Sequence, residues 1–229
     1  MSAFRALLWK DLQMSRGYLI AAAAVLVGPY VFLFFARRVA ASDGLIDDGT
    51  TAHHAGVMAG VGAVIIASLL SGASFATERT DRSAEFLAYL PVDRARRLAS
   101  KLLVACTPAV ILLVTNPLVV LSFEPASSWV AVSGTESVVA TIASTLVLAL
   151  GTAWLGSVMV SAAAALLLGL LSPFFVTCAF YATATIGEEF CGLHIDLNEW
   201  FPTVFRWAGF GIGAVTFLAG SLLFLRQES

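Results

Sequence analysis

The chain has 229 residues, of which 59% are hydrophobic and only 12% are charged, and its mean hydropathy is +0.89. Soluble domains carry roughly 25% charged residues, so this composition excludes a water-soluble globular protein. The net charge of −2 leaves no basic arm for nucleic acid. The length also leaves little room beside membrane spans for a soluble catalytic domain. We therefore predict one all-α transmembrane domain, residues 1–229.

Uncharged apolar runs long enough to cross about 30 Å of hydrocarbon predict six transmembrane helices. The 51 residues between Glu136 and Glu188 carry no charge, and as one helix they would extend for about 76 Å, so they must fold back once. We place that turn near Gly156-Ser157 and expect a tilt or a break at Ser172-Pro173. The predicted spans are 18–36, 55–77, 102–123, 137–155, 158–186 and 207–225.

The distribution of basic residues predicts the orientation in the membrane. With the N-terminus inside, ten of the 13 Lys and Arg residues are cytoplasmic, as the positive-inside rule requires, and the even number of spans returns the C-terminus to the same side. We therefore expect a multi-pass protein of the cytoplasmic (inner) membrane. Three Trp residues near outer span ends are predicted interfacial anchors: Trp129, Trp200 and Trp207.

Residues 1–17 are predicted to form an amphipathic helix in the inner interface. Its apolar stripe comprises Phe4, Leu7, Leu8 and Leu12. The charged residues that lie largely off this stripe are Arg5, Lys10, Asp11 and Arg16. This helix is either a plain membrane anchor or also part of a docking surface for a cytoplasmic protein.

The cytoplasmic segment 78–101 is the most informative connection. Phe86, Leu87 and Leu90 form a short apolar stripe, and Pro91 ends the helix that carries it. Asp93 is a predicted N-cap for a helix that continues into the third span. On the outer side, residues 187–202 have their apolar side chains on one helical face and their acidic side chains elsewhere, which predicts a short helix before the sixth span.

A series of residues around this segment resembles the permease subunit of ABC transporters of the ABC-2 type. The residues that carry the resemblance are Phe75, Glu78-Arg79, Glu85, Leu87, Pro91-Val92 and Lys101. The N-terminal helix with Leu8-Trp9-Lys10-Asp11 also fits that architecture. Ser100 stands where the family often has Gly.

The resemblance implies that this segment is a coupling helix that docks on a separate cytoplasmic ATP-binding subunit. It implies a second permease copy or a paralogue as partner, and export as the direction of transport. ATP and Mg²⁺ would be bound by the partner subunit. The residues implied in coupling are Glu78, Arg79, Arg82, Glu85, Phe86, Leu87, Leu90, Pro91 and Asp93.

The chain itself is not expected to be an enzyme or to bind a cofactor. It lacks a phosphate-binding loop of the form GxxxxGK[ST], since neither Lys10 nor Lys101 follows Gly. No ionisable residue lies in a predicted span centre, which argues against a proton-coupled carrier.

Two alternative functions remain possible interpretations of the sequence. The first is a non-transporting scaffold or regulator-binding membrane protein. The second, less favoured, is an intramembrane metalloenzyme, although no HExxH motif is present. The zinc-type ligands on the predicted outer side are His53, His54, Glu188, Glu189, Cys191, His194 and Asp196.

Two pairs of glycines have GxxxG spacing, Gly56/Gly60 and Gly209/Gly213. Such spacing lets helix backbones approach closely. We favour packing within the chain over a subunit interface as their role.

Overall fold

The computed structural model describes residues 3–40, 48–80, 93–123, 129–191 and 197–227. These residues form α-helices, with no strand among them. The helices are α1 (Ala3–Met14), α2 (Arg16–Ala40), α3 (Asp48–Thr80), α4 (Arg94–Phe123), α5 (Trp129–Met159), α6 (Ala162–Cys191) and α7 (Leu197–Gln227).

Five of these helices, α3 to α7, contain a segment long and apolar enough to cross a membrane. α1 and α2 pass the same criterion together, as a pair bent by 63° at Ser15. The polar Ser15-Arg16-Gly17 step separates the apolar stretches of the two helices. The chain is thus an all-helical, multi-pass membrane protein.

The packing has small residues inside and large apolar residues outside. Many of the buried positions are Ala or Ser, such as Ala67, Ala105 and Ser71, whereas Phe174 and Phe175 of α6 are 63% and 60% exposed. In water such a surface would be unfavourable, but lipid is as apolar as these side chains. Trp200 and Trp207, two of the predicted anchors, are also largely exposed.

α3 and α5 form the centre of the bundle, and the other helices pack around them. Trp154 of α5 is fully buried and contacts the rings of Phe75 and Phe217, with centroid distances of 4.8 and 5.3 Å. Its indole Nε1 donates a hydrogen bond to Ser221 Oγ at 3.2 Å. The largest buried side chain therefore also has its one polar atom satisfied.

Three of the four GxxxG glycines, Gly60, Gly209 and Gly213, lie in close contacts within the chain. A Cβ on Gly213 would lie 2.5 Å from the carbonyl oxygen of Val147, and one on Gly209 would lie 3.1 Å from that of Ser144. A Cβ on Gly60 would meet Ile142 at 2.7 Å. The prediction of packing within the chain is confirmed, because these glycines bring α7 and α3 against α5.

The turn between α5 and α6 lies at Val160-Ser161, after the predicted Gly156-Ser157. Gly156 is instead inside α5, where a Cβ would lie only 3.0 Å from Ala165 Cα. Its lack of a side chain permits the close crossing of the two helices. Ser161 begins α6, since its Oγ accepts from the Ala164 amide at 3.4 Å.

α6 passes through Pro173 without a break. Proline has no amide hydrogen, which leaves the carbonyl four residues earlier without its helical partner. That carbonyl belongs to Gly169, and Ser172 Oγ donates a hydrogen bond to it at 2.9 Å. The Ser-Pro step, where a tilt or a break was expected, thus supplies the missing hydrogen bond itself.

The predicted outer helix 187–202 is not a separate element in its described parts. Residues 187–191 continue α6, and residues 197–202 are the first turns of α7. Both helices are long enough to extend beyond the hydrocarbon, so the acidic residues at these ends need no third helix.

The close approach of α5 and α7 generates a prediction. Gly213→Ala should lower the free energy of unfolding by about 1–3 kcal/mol, because the added methyl group meets the backbone of Val147. Gly211→Ala is the matched control, since nothing lies within 4 Å of its Cβ position. Unfolding of the purified protein in mixed micelles measures both. Equal stability of the two variants would contradict the packing described.

Candidate functional site

Charged side chains of three helices meet where α1 crosses one end of the bundle. They are Lys10 and Asp11 of α1, Glu78 of α3, and Lys101 of α4, with Ser100 beside it. We call these five residues the ionic cluster. α3 ends at Thr80 and α4 begins at Arg94, so Glu78 lies in the last turn of α3 and Lys101 lies about two turns into α4.

Glu78 is the centre of the cluster. Its Oε1 accepts a hydrogen bond from Lys10 Nζ at 2.9 Å and lies 3.1 Å from Lys101 Nζ. Lys101 Nζ also donates to the carbonyl oxygen of Ser74 at 2.5 Å. One carboxylate therefore holds α1 and α4 to the end of α3.

Asp11 makes the second link between α1 and α4. Its Oδ2 accepts a hydrogen bond from Ser100 Oγ at 2.5 Å, and its Oδ1 lies 4.0 Å from Lys101 Nζ. Lys101 Nζ also lies 5.2 Å from the centre of the Phe75 ring, within the range of a cation–π contact.

The ionic cluster is buried and electrically neutral. The exposed fractions of the side chains are 7% for Lys101, 11% for Glu78, 10% for Asp11 and 30% for Lys10. Two positive and two negative charges compensate one another, which is the condition under which buried charges are tolerated.

The environment of Glu78 changes its pKa. Burial raises the pKa of the carboxyl group, but the charges and hydrogen bonds of Lys101 and Lys10 outweigh burial and lower it below its ordinary value. Glu78 is therefore ionised at neutral pH and acts as a permanent counter-ion for the two lysines.

Helical spacing places these residues on facing sides of their helices. Leu7 and Asp11 are four residues apart and share the buried face of α1. Ser71, Phe75 and Glu78 follow one face of α3, and Arg97, Ser100 and Lys101 are buried on α4. Each polar group thus lies at the end of an apolar or small-residue stripe.

The buried face of α1 differs from the expectation. Lys10 and Asp11 were expected off the apolar stripe, in the interface, but Asp11 is buried and Lys10 reaches Glu78. The reason is that charged partners on α3 and α4 turn this side of α1 toward the bundle. A signal was present in the sequence, since Lys10 and Lys101 are the only two lysines among 13 basic residues.

The residues that the resemblance implies in coupling do not all lie together in the structure. Glu78 is part of the ionic cluster, and Arg79 continues the last turn of α3. Asp93 caps α4 as predicted, because its Oδ1 accepts from the Ala95 amide at 3.3 Å. The remaining residues lie outside the described part of the chain: Arg82, Glu85, Phe86, Leu87, Leu90 and Pro91.

A second polar contact joins α2, α3 and α4 away from the ionic cluster. The Tyr30 hydroxyl donates to Asn116 Oδ1, and Asn116 Nδ2 donates to the carbonyl oxygen of Gly56 at 2.9 Å. Asn116 is buried. Its amide is thus satisfied by neighbouring helices, which accounts for its presence in an apolar segment.

The described residues contain no group of three His, Cys, Asp or Glu side chains that could hold a metal ion. His54, Glu188 and Glu189 are among the residues covered by that statement. The positions of His194 and Asp196, and the side chains of His53 and Cys191, are outside it.

Comparison with protein-family models, with curated proteins and with solved structures finds no match for this chain.

The geometry of the ionic cluster predicts unequal effects of neutralising its members. Glu78→Gln leaves two lysines without their shared counter-ion and should destabilise the protein by about 3–5 kcal/mol. Lys10→Gln should cost about 1 kcal/mol or less, because Lys10 is partly exposed and Lys101 still balances Glu78. Unfolding in mixed micelles compares the two, and a larger loss for Lys10→Gln would contradict the central place of Glu78.

The lowered pKa of Glu78 predicts a pH dependence of stability. A carboxyl group whose pKa is lower in the folded state stabilises the fold above its ordinary pKa and loses this contribution as the pH falls through the folded value. The difference in unfolding free energy between the wild type and Glu78→Gln should therefore be constant near neutral pH. It should shrink only below the ordinary range of a glutamate, and shrinkage already near pH 7 would contradict this assignment.

Proposed function

We propose that the chain is the membrane-spanning permease subunit of an ATP-driven ABC transporter of the ABC-2 type. In this proposal α1 lies in the interface, α2 is the first of six spans, and both termini are cytoplasmic. A separate cytoplasmic subunit binds and hydrolyses ATP with Mg²⁺. A second permease copy or a paralogue completes the pathway, and the direction of transport is export.

The observation that carries the proposal is the place of the ionic cluster. Glu78 and Lys101 are the first and last residues of the cytoplasmic segment, and they form an ion pair of 3.1 Å. Lys10 ties α1 to the same carboxylate. A force applied to the segment would therefore reach three helices at once.

This arrangement supplies what a coupling segment needs. A loop that transmits a movement must be attached firmly to the helices at both of its ends, because flexibility at these ends would absorb the displacement. The hydrogen-bonded ion pairs at Glu78 provide such a hold, and the Asp93 cap adds a fixed start for α4. The resemblance of the segment to ABC-2 coupling helices agrees with this mechanical role.

In the proposed mechanism, closure of the ATPase subunits pushes on the segment between Glu78 and Asp93. Phe86, Leu87 and Leu90 provide its apolar seat, and Arg79, Arg82, Glu85 and Asp93 provide ion pairs across the contact. Glu78 instead passes the movement inward, through Lys101 to α4 and through Lys10 to α1.

The test is a pull-down of the tagged chain from its native membrane in mild detergent, followed by an assay of ATPase activity in the eluate. A stoichiometric ATP-binding subunit is expected with the wild type. Glu85→Lys should reduce its recovery by at least about tenfold, since a lost interfacial charge pair costs several kcal/mol and about 1.4 kcal/mol is already tenfold in affinity. The control is Glu188→Lys, which makes the same charge change on an exposed residue near the far end of α6.

Lys101→Gln separates docking from coupling. It should leave the ATPase subunit bound, because Lys101 is buried, while it uncouples hydrolysis from transport. A clean chain without a nucleotide-binding partner would overturn the proposal and favour the scaffold alternative. Stoichiometric zinc in the purified chain would favour the metalloenzyme.

A further inference from the structure

A polar cavity lies beside the ionic cluster, inside the bend between α1 and α2. Its volume is about 260 Å³. It is lined by polar groups of all four neighbouring helices, chief among them Asp11, Ser15, Tyr18, Ser74, Glu78 and Lys101.

Several of these groups retain hydrogen-bonding capacity. Both lysines bond to Oε1 of Glu78, so Oε2 has no partner among the described residues. Within the same part of the chain, the hydroxyl groups of Ser15 and Tyr18 have none either. The cavity therefore offers a carboxylate oxygen and two hydroxyls to a ligand.

An apolar groove of about 450 Å³ adjoins this cavity, between α4 and the bent pair of α1 and α2. Val104 lines both spaces. Apart from Thr107, every residue along the groove is apolar. From Leu103 to Leu112 the groove follows α4 for about 13 Å, close to the depth of one leaflet of a bilayer whose hydrocarbon core is about 30 Å thick.

We propose that the cavity and the groove together bind one phospholipid with a zwitterionic, primary-amine headgroup, from the leaflet that α1 borders. A polar pocket that opens into an apolar groove has the shape of an amphiphile, whereas a packed helix would leave the polar cavity unfilled. The headgroup lies in the cavity, and an acyl chain lies in the groove.

The charges select the headgroup. The ionic cluster has a net charge of zero, so an anionic lipid would add an uncompensated charge to a partly buried site. A primary ammonium group donates hydrogen bonds to Glu78 Oε2 and the hydroxyls, which a quaternary ammonium group cannot do. This inference does not depend on transport or on an ATPase partner.

The experiment is native mass spectrometry of the purified full chain with phosphatidylethanolamine, phosphatidylcholine and phosphatidylglycerol at equal concentrations. Phosphatidylethanolamine should bind about tenfold more tightly than the other two lipids. Equal binding of all three, or a preference for phosphatidylglycerol, would overturn the proposal.

Two variants fill the groove from opposite walls, and each has a matched control. Ala23→Trp on α2 and Thr107→Trp on α4 should each weaken phosphatidylethanolamine binding by at least about tenfold, because the ring takes the place of the acyl chain. Ala24→Trp and Val114→Trp change exposed residues of the same helices that line neither space. The controls should bind like the wild type, and unchanged binding by a folded groove variant would overturn the site.

Tyr18→Phe tests the cavity without altering its shape. It should weaken binding of phosphatidylethanolamine by about threefold to tenfold and leave phosphatidylglycerol unchanged. Glycerophosphoethanolamine, the same headgroup without chains, should not displace the lipid at a hundredfold excess. Displacement by this soluble compound would show a small-molecule site in the cavity and overturn the assignment to a lipid.

Discussion

The structure depends on one carboxylate that is shared by two lysines at one end of the helix bundle. A buried carboxylate or ammonium group is unfavourable by several kcal/mol unless an opposite charge compensates it. Glu78 meets this requirement for Lys10 and Lys101, and each lysine comes from a different helix. Lys101 is buried together with its counter-ion, and the partly exposed Lys10 joins α1 to the same carboxylate, so charge balance contributes to the position of α1 at this end of the bundle.

This constraint matters because apolar contacts alone do little to determine how helices associate in a membrane. Side chains exchange lipid for protein of similar polarity, so the association of helices relies on close packing and on polar contacts. α5, α6 and α7 meet through Gly and Ala at short backbone distances. α2 and α4 also pack on α3 through small and apolar residues. The ionic cluster and Asn116 add polar contacts that join α1, α2 and α4 to α3.

The sequence was sufficient for the class of fold but not for the contacts between helices. Uncharged runs and helical periodicity predict helices within the membrane, and Gly209/Gly213 correctly indicated packing within the chain. The turn after Met159 was misplaced because Gly156 has the same local signature whether it forms a turn or a close crossing. The effect of the Ser172-Pro173 step on the helix was ambiguous for a similar reason. The hydrophobic pattern of a sequence does not show whether the Ser172 hydroxyl will replace the hydrogen bond that Pro173 removes.

The candidate site was predictable only in part. Glu78 and Lys101 were singled out because they are among the residues that carry the family resemblance. The helical pattern of residues 1–17 placed Lys10 and Asp11 in the interface. Helical spacing assigns each residue to a face of its own helix, and it does not say which helix that face will meet. The partner of Lys10 is 68 positions away, and a pairing over that distance follows from tertiary packing alone.

The two kinds of packing also differ in how they can move. The close contacts of α5 with α7 involve backbone atoms, as at Gly213, and cannot shift without separating the helices. α4 packs mainly against α3 and α1 and touches α5 and α7 little. At this end its polar contacts through Lys101 and Ser100 run to α3 and α1, and Leu98 and Leu102 pack against the cluster around Phe75. A movement applied at the ionic cluster would therefore be taken up by α1 and α4, while α5, α6 and α7 remain as the fixed part against which they move.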